Sequence, residues 1–312
     1  MQKIIPNLWF DSQAEAAAKL YTSLFKNSRI GKTTRYGKAG YEIHHQPEGQ
    51  VMTIEFELEG QAFLGLNGGP VFTFTPAISF LVACKTKDEV DALWAELYAG
   101  GTALMELGEY PFSEKYGWMR DRFGLSWQVM AMGDRPVRQK IIPTLMYVGD
   151  VCGKAEEAVN FYASVFRNAK IGDILRYGNG EEPDKEGTIK HVGFTLEGEE
   201  FAAMDSAHEH KFGFNEAISL VVRCETQAEI DYYWDKLIEG GDPKAQVCGW
   251  LKDRFGVSWQ VSPTVLEEML QDPDKTKVER VTEAFLKMKK FDIGELRKAF
   301  EGDERGVCRF SE

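Results

Sequence analysis

The residues of this sequence that could do chemistry are mainly amides and hydroxyls, and they lie in short strings that occur twice. Gln128 ends RDRFGLSWQ and Gln260 ends KDRFGVSWQ, while Ser79 and Ser219 both follow Ala-Ile. The other candidates are Asn7 with Thr144, Asn67 with Asp205, Trp118 with Trp250, and Trp9. A few convergent polar groups in an aromatic-lined cavity are typical of a small-ligand site. In the structural alternative, the tryptophans belong to the core and Gln128 satisfies a backbone group.

The five histidines add few groups for acid–base or metal chemistry. His191 lies in a strand pattern over 188–196, where it could face a site in the second half of the chain and act as an acid or base. The other four lie in polar loops and are His44, His45, His208 and His210. The His-x-His string follows Asp205 and could bind a metal with it, although a surface loop is the simpler explanation.

The cysteines favour a reduced, cytoplasmic protein. Their number, five, is odd, and the sequence has no Cys-x-x-Cys, so neither a disulfide framework nor a cysteine-rich zinc site is expected. Cys84 and Cys224 end apolar runs and are expected to be packed thiols, because no histidine lies nearby in sequence to activate them. The start of the chain lacks a signal-peptide core, and no stretch approaches the roughly 18 apolar residues that span a bilayer.

Length and charge limit the class of protein. The chain has 312 residues, which suggests about two domains, and 43% of its residues are hydrophobic, as in an ordinary globular protein. The formal net charge of -12 argues against DNA or RNA as a partner, because phosphate binding needs a basic face. A small anionic ligand in a local pocket remains compatible with that charge.

An internal duplication defines the domains. KIIPNL at 3–8 returns as KIIPTL at 140–145, and RDRFGLSWQV at 120–129 returns as KDRFGVSWQV at 252–261. The matching strings keep their order, so the chain reads as two copies of one unit. We expect a first domain over 1–133, a second over 138–262 and a helical extension over 263–312.

Each copy has the pattern of alternating strands and helices. The first copy predicts a strand over 3–10, a helix over 14–25, a strand over 29–36 and a hairpin over 51–66. The theme then repeats: Thr86-Lys87-Asp88-Glu89 is a capping box, and Gly100-Gly101 ends the helix that it opens. Each copy is therefore βαβββ–βαβββ, and amphipathic helices cover one face of each sheet. The other sheet face must be a cavity or an interface.

Several strings resemble known families. LNGGP at 66–70, NEAIS at 215–219, CGWLKDRFGVSWQV at 248–261 and DPDKTKVERVTEAFLKMKKFDIGEL at 272–296 resemble the PhnB-like family, commonly labelled "3-demethylubiquinone-9 3-methyltransferase". The chain as a whole is similar to the vicinal-oxygen-chelate superfamily of glyoxalases, bleomycin-resistance proteins and dioxygenases. The resemblance implies an α+β fold of tandem domains, each made of two βαβββ modules forming one cupped mixed sheet. It also implies an intrachain pseudo-dimer, with a homodimer as a further option.

The resemblance implies a divalent metal in the cup, but the ligand positions are altered. Where the superfamily has a metal-binding Glu on the last strand, this chain has Gln128 and Gln260. The fifth-strand His is replaced by Ala77 and Ala217. A neutral amide is a weaker ligand than a carboxylate for a hard cation, and alanine is none. We therefore expect no tightly bound metal, with a divalent metal kept as the alternative cofactor.

The sequence leaves the reaction type open. We expect a cytosolic small-molecule protein with degenerate metal-ligand positions, either an enzyme of the lyase, dioxygenase or isomerase type or a metal-free binding module. A regulatory or assembly protein without a ligand is the third reading. A methyltransferase is disfavoured, because LGLNGGP is not the Gly-x-Gly-x-x-Gly of a nucleotide site and no helix pattern follows it.

Overall fold

The computed structural model describes residues 2–302, and its elements follow the duplicated sequence. The first copy contains β1 Ile4–Phe10, α1 Ala14–Leu24, β2 Arg29–Arg35, α2 Tyr41–His44, β3 Val51–Leu58, β4 Gln61–Asn67, β5 Ile78–Cys84, α3 Lys87–Tyr98, β6 Thr102–Tyr110, β7 Ser113–Arg120 and β8 Ser126–Ala131. The second copy contains β9 Ile141–Tyr147, a 3-10 turn Gly149–Val151, α4 Ala155–Val165, β10 Lys170–Arg176, β11 Ile189–Leu196, β12 Glu199–Asp205, β13 Ile218–Cys224, α5 Gln227–Leu237, β14 Asp242–Val247, β15 Trp250–Lys252 and β16 Ser258–Pro263. The tail contains α6 Thr264–Met269, α7 Lys275–Phe285 and α8 Ile293–Glu301.

The strands form two mixed eight-stranded sheets. Sheet A has the order β14-β15-β16-β13-β1-β4-β3-β2, and sheet B has the order β10-β11-β12-β9-β5-β8-β7-β6. The α+β class and the two similar halves predicted from the sequence are thus confirmed. None of the helices between residues 2 and 302 is long and apolar enough to cross a bilayer.

The copies exchange modules, which corrects the expectation that each copy would form its own cup. Sheet A joins β1–β4 of the first copy to β13–β16 of the second, through antiparallel pairing of β1 with β13. Sheet B joins the other two modules through β5 and β9. The sequence could not predict this exchange, because the two edge strands, AISFLV and AISLVV, are nearly identical and either could complete either sheet.

Within each copy, the two modules pack against each other through side chains. Phe63 of sheet A and Phe80 of sheet B have ring centroids 5.6 Å apart. Tyr21 on α1 donates a hydrogen bond of 2.6 Å to Asp121 in the β7–β8 turn. The helices lie on this inner side, with α1 and α5 on sheet A and α3 and α4 on sheet B. One hydrophobic core therefore runs through both copies.

Helices α3 and α5 begin at the predicted capping boxes, whereas the short helix α2 lies around His44 in a stretch predicted as a polar loop. Thr86 Oγ1 accepts a hydrogen bond of 3.2 Å from the amide of Glu89, and Thr226 Oγ1 accepts an equal one from Glu229. These bonds satisfy amides at the first turn that have no partner within the helix. Gly100 has a φ of +79°, a left-handed conformation that favours glycine, and it follows α3.

The tail lies over the face of sheet A that the other helices leave open. Helix α6 follows β16 directly, and its Leu266 is buried. Further along, the amides of Cys248 and Gly249 donate to the carbonyls of Met288 and Lys289 at 2.8 and 2.7 Å, which fixes the segment after α7 to the β14–β15 turn. We call this open face of sheet A cup A and the corresponding face of sheet B cup B.

Candidate functional site

Cup A contains a cavity of about 310 Å³ between the sheet and the tail. Alternation along the strands places every second side chain in it: Ile5 and Asn7 of β1 line the cavity, whereas Ile4 and Leu8 lie in the core. The apolar part of the lining includes Leu64, Leu66, Val221, Leu266, Phe285 and Phe291. Cys248 also lines the cavity, and burial raises the pKa of its thiol to about 11, so it is no thiolate nucleophile at neutral pH.

Three of the predicted polar residues meet at the floor of cup A. Asn7 and Ser219 are direct partners in the β1–β13 pair. Ser219 Oγ accepts hydrogen bonds from Asn7 Nδ2 at 3.2 Å and from Gln260 Nε2 at 2.9 Å. Among the described residues, Asn7 Oδ1 has no hydrogen-bond partner, although Asn7 is only 1% exposed. An unpaired buried carbonyl costs free energy, so a ligand donor that reached this oxygen would gain a hydrogen bond and remove that cost.

Trp250 and Trp9 form an aromatic wall beside this floor. Their ring centroids are 6.1 Å apart with an edge-to-face geometry, and Trp250 lines the cavity. Trp9 Nε1 donates a hydrogen bond of 2.8 Å to the carbonyl of Gly69. A Cβ on Gly68 would lie 2.2 Å from the Trp9 ring, so the glycine-rich string LNGGP serves close packing against this ring.

The far end of the cavity carries charged groups that sequence reasoning missed. Arg223 of β13 donates from Nε to Glu267 Oε1 of α6 at 2.9 Å and pairs through Nη2 with Oε2. Glu55 of β3 faces the same end, and its pKa is raised by burial and, next, by the charge of Glu267. The alternation of β13 could have placed Arg223 on the same face as Ser219, but its partner lies in a tail whose position the strings do not specify.

The equivalent residues of cup B satisfy one another. Gln128 Nε2 donates to Ser79 Oγ at 2.7 Å, and Tyr116 donates its hydroxyl to Gln128 Oε1 at 2.8 Å. Thr144 pairs with Ser79 across β5 and β9 and donates to the carbonyl of Ile142 at 3.3 Å. Trp118, which matches Trp250, donates to Ser126 Oγ at 2.8 Å. Gln128 and Ser79 lie together, as the sequence predicted for the first copy, but Thr144, predicted with Ser219 and Gln260, takes the place of Asn7 because the copies exchange modules.

His191 lies on the cup B face of β11, since its neighbour Val192 lies in the core. Its side chain is exposed, yet the surrounding protein lowers its pKa and the charge of Arg135 lowers it further. A neutral imidazole is therefore favoured there at neutral pH. Within residues 2–302, the hydrogen-bond partners of Gln128 are Tyr116 and Ser79, and His191 is not among them.

Asn67 and Asp205 lie outside the cups, on the helix side of their sheets. Asn67 Oδ1 accepts from the amide of Ala14 at 2.9 Å, and its Nδ2 donates to the carbonyl of Val51 at 3.1 Å. Asp205 accepts from the amides of Gly153, Ala155 and Ile189 at 2.7, 3.1 and 3.0 Å. Both residues hold the start of a helix against the sheet, so they have structural roles.

The histidines of the loop after β12 do not converge with Asp205. His210 Nε2 lies 2.8 Å from Ser206 Oγ, and His208 Nε2 lies 3.6 Å from Asp184 Oδ2. Within residues 2–302 there is no group of three or more His, Cys, Asp or Glu side chains that could hold a metal ion. The strand positions that would carry ligands hold amides and hydroxyls bonded to one another, which do not fit a hard divalent cation.

A buried carboxylate in each DRFG turn accepts four hydrogen bonds from the surrounding protein. Asp253 Oδ2 accepts from Tyr162 at 2.7 Å and from Trp259 Nε1 at 2.8 Å, while Oδ1 accepts from two backbone amides. Asp121 makes the same contacts with Tyr21 and Trp127. The repetition of DRFG in the sequence was the available signal for these residues, and their role is structural.

The two sheets and their cups form a glyoxalase-like fold. Glyoxalase I from Zea mays is similar in fold, with a TM-score of 0.50 and 13% identity over 85% of this chain and 95% of that one. A family model described as "3-demethylubiquinone-9 3-methyltransferase" matches residues 2–130 and 139–262. The chain therefore belongs to this family, the PhnB-like family that its sequence strings predicted.

Two other solved structures match a stretch of this chain that is about as long as one copy. A putative 3-demethylubiquinone-9 3-methyltransferase, PhnB protein, from Bacillus cereus is 42% identical over 42% of this chain and 99% of that one, with a TM-score of 0.38. A glyoxylase/bleomycin resistance protein/dioxygenase domain from Frankia is 16% identical over 40% and 92%, with a TM-score of 0.29. A search of curated proteins found no match.

Proposed function

We propose that this protein binds a small, largely apolar molecule in cup A, under the tail, without a tightly bound metal. The observation that carries the proposal is the cavity of about 310 Å³ whose floor holds Asn7 Oδ1 without a hydrogen-bond partner among the described residues. Small-molecule sites are typically apolar cavities of this size with a few placed polar groups. A ligand that carries one hydrogen-bond donor fits both properties.

Cup A is favoured over cup B because the polar atoms of cup B already have protein partners. Gln128 uses both its oxygen and its nitrogen within the protein. In cup A, the Gln260 amide donates to Ser219, and Trp250 lines the cavity beside it. The donor sets of both cups support binding without metal, and no reaction step is assigned to either.

The name of the family suggests methyl transfer as a second function, but nothing in the geometry favours it. The glycine-rich string packs against Trp9, and the chain has mixed sheets in place of the parallel sheet and glycine loop of a nucleotide-binding fold. Measured binding of S-adenosylmethionine would reverse this preference.

The test uses 2-naphthol as a neutral probe with one hydroxyl donor, titrated by calorimetry. Val221 lines cup A, so Val221→Phe fills part of the cavity and should abolish or strongly weaken binding. Leu81 occupies the matching position of cup B, and Leu81→Phe should leave binding unchanged. Thermal unfolding of both variants checks that they fold. Equal loss in both variants, or unchanged binding in Val221→Phe, would contradict a site in cup A.

A further inference from the structure

We propose that Glu267 of the tail is an internal ligand of cup A, and that the exogenous ligand is a small organic acid whose carboxylate replaces it on Arg223. This inference rests on the proposed function, since it requires a ligand in cup A. It adds the charge class of that ligand and the way in which the tail controls access to the cavity.

The first support is the position of Arg223. It lies on the cavity face of β13, four residues from Ser219, and therefore about 13 Å along the strand from the polar floor. The matching residue of cup B is Ala83, in a strand with nearly the same sequence. The fold therefore does not require an arginine at this position, which suggests a role that is specific to cup A.

The second support is the geometry of the ion pair. The guanidinium meets both oxygens of the Glu267 carboxylate, which is the two-pronged arrangement by which arginine recognises a carboxylate ligand. The two side chains are 19% and 26% exposed, so the pair lies partly inside the cavity rather than free in solvent. A ligand carboxylate in the same place would make the same bonds.

The third support is that Glu267 can be displaced. It belongs to α6, a six-residue helix outside the duplicated unit, and Leu266 and Leu270 beside it line the cavity. Glu55 lies close enough to Glu267 for the charge of Glu267 to raise its pKa, so two carboxylates share one guanidinium. A ligand carboxylate on Arg223 would meet the same repulsion from Glu55, so the exchange keeps the local charge while it frees the Glu267 side chain from the cavity.

The test compares 2-naphthoate with the neutral 2-naphthamide on the 312-residue chain, using calorimetry. Glu267→Gln removes the competing charge but keeps the size of the side chain, so 2-naphthoate should bind about tenfold more tightly than to the unchanged protein. Glu268 is the exposed neighbour on the same helix, and Glu268→Gln is the matched control, expected to change nothing. Arg223→Gln should remove the preference for the acid over the amide.

The outcomes separate this inference from the proposed function. Unchanged 2-naphthoate affinity in Glu267→Gln, or equal tightening of 2-naphthamide, would overturn the internal-ligand inference while binding in cup A stands. Absence of binding of both probes to every variant, Glu267→Gln included, would overturn this inference, and loss of 2-naphthol binding as well would overturn the proposed function. Circular dichroism and thermal unfolding confirm that each variant is folded, so a loss of binding is read only from folded protein.

Discussion

At the scale of single residues, the repeated strings hold two kinds of polar group. Gln260 and Ser219 belong to a cavity floor, whereas Asp253, only seven residues before Gln260, belongs to the core. In the sequence, Asp253 and Gln260 are both polar residues of the same repeated string, KDRFGVSWQV. Their surroundings differ because alternation along β16 and the turn before it place them on opposite sides of the sheet.

The buried Asp253 predicts a pH-dependent stability. Burial raises its pKa from the ordinary 3.8 to about 6, so the folded state holds this proton more tightly than the unfolded state. Its contribution to the free energy of unfolding therefore falls as the pH rises from about 4 to 6. Asp253→Asn cannot ionise and leaves the Trp259 indole without its acceptor, so it should be less stable than the unchanged protein.

We expect this deficit to be about 2 kcal/mol larger at pH 4.5 than at pH 7.5, measured by urea unfolding at both values. The control is Asp235→Asn, whose side chain is 66% exposed and which should show a small difference at both pH values. A deficit that grows as the pH rises would show that the ionised carboxylate, rather than the protonated one, is the stabilising form.

The sequence predicted most of the side chains that line the candidate site, but it did not predict which side chains they contact. Alternation predicted that Asn7 faces the concave side in the first copy and that Ser219 and Gln260 do so in the second, and module exchange brings all three together in cup A. Asn67 and Asp205 were expected in the pocket, yet they follow the opposite alternation on β4 and β12, next to helix starts. Strand ends in a sequence are uncertain by a residue, and a shift of one residue reverses the face.

At the scale of elements, the tail is fixed to the second copy at a few defined contacts. Gln227, the first residue of α5, donates to the carbonyl of Phe291 at 3.1 Å and accepts from the amide of Ile293 at 2.9 Å. Lys290 pairs with Asp231 on the same helix at 2.8 Å. These contacts place the start of α8 beside the start of α5, where the spacing of apolar residues alone predicted only short helices.

Removing the Gln227 contacts should loosen the tail locally. In Gln227→Ala, the backbone groups of Phe291 and Ile293 lose their side-chain partners, so amide exchange over 288–296 should become faster while exchange in the middle of α5 changes little. Hydrogen exchange read by mass spectrometry measures both segments. Lys87 occupies the matching position at the start of α3, and Lys87→Ala is the control. Unchanged exchange over 288–296 would mean that other contacts hold the tail.

At the scale of the whole molecule, module exchange means that neither copy forms a complete sheet by itself. Alone, the first copy would leave one edge of β1 and one edge of β5 unpaired, and such edges pair readily with another chain. Because β13 is nearly identical to β5 and β9 to β1, a second molecule of the same copy could supply both missing edges.

A fragment of residues 1–138 should therefore form a dimer, measured by size-exclusion chromatography with light scattering. The fragment 138–302 should behave in the same way, since its β9 and β13 edges are equivalent. A stable, folded monomer of either fragment would contradict the exchange, because its two modules would then have to complete one sheet with each other. The sequence predicted the four βαβββ modules of this fold. How the modules combine is seen only in the pairing of β1 with β13 and of β5 with β9.

The eight residues from Met132 to Gln139 that join the copies have a consequence for how the two cups can change over time. In an assembly of two identical chains, any substitution in one cup appears in the other as well. A covalent joint removes that symmetry, so a mutation in one half is inherited by one cup alone. Arg223 opposite Ala83 in its counterpart strand, and Asn7 opposite Thr144, are differences of this kind. The fusion thus lets one cup evolve recognition while the other keeps the architecture.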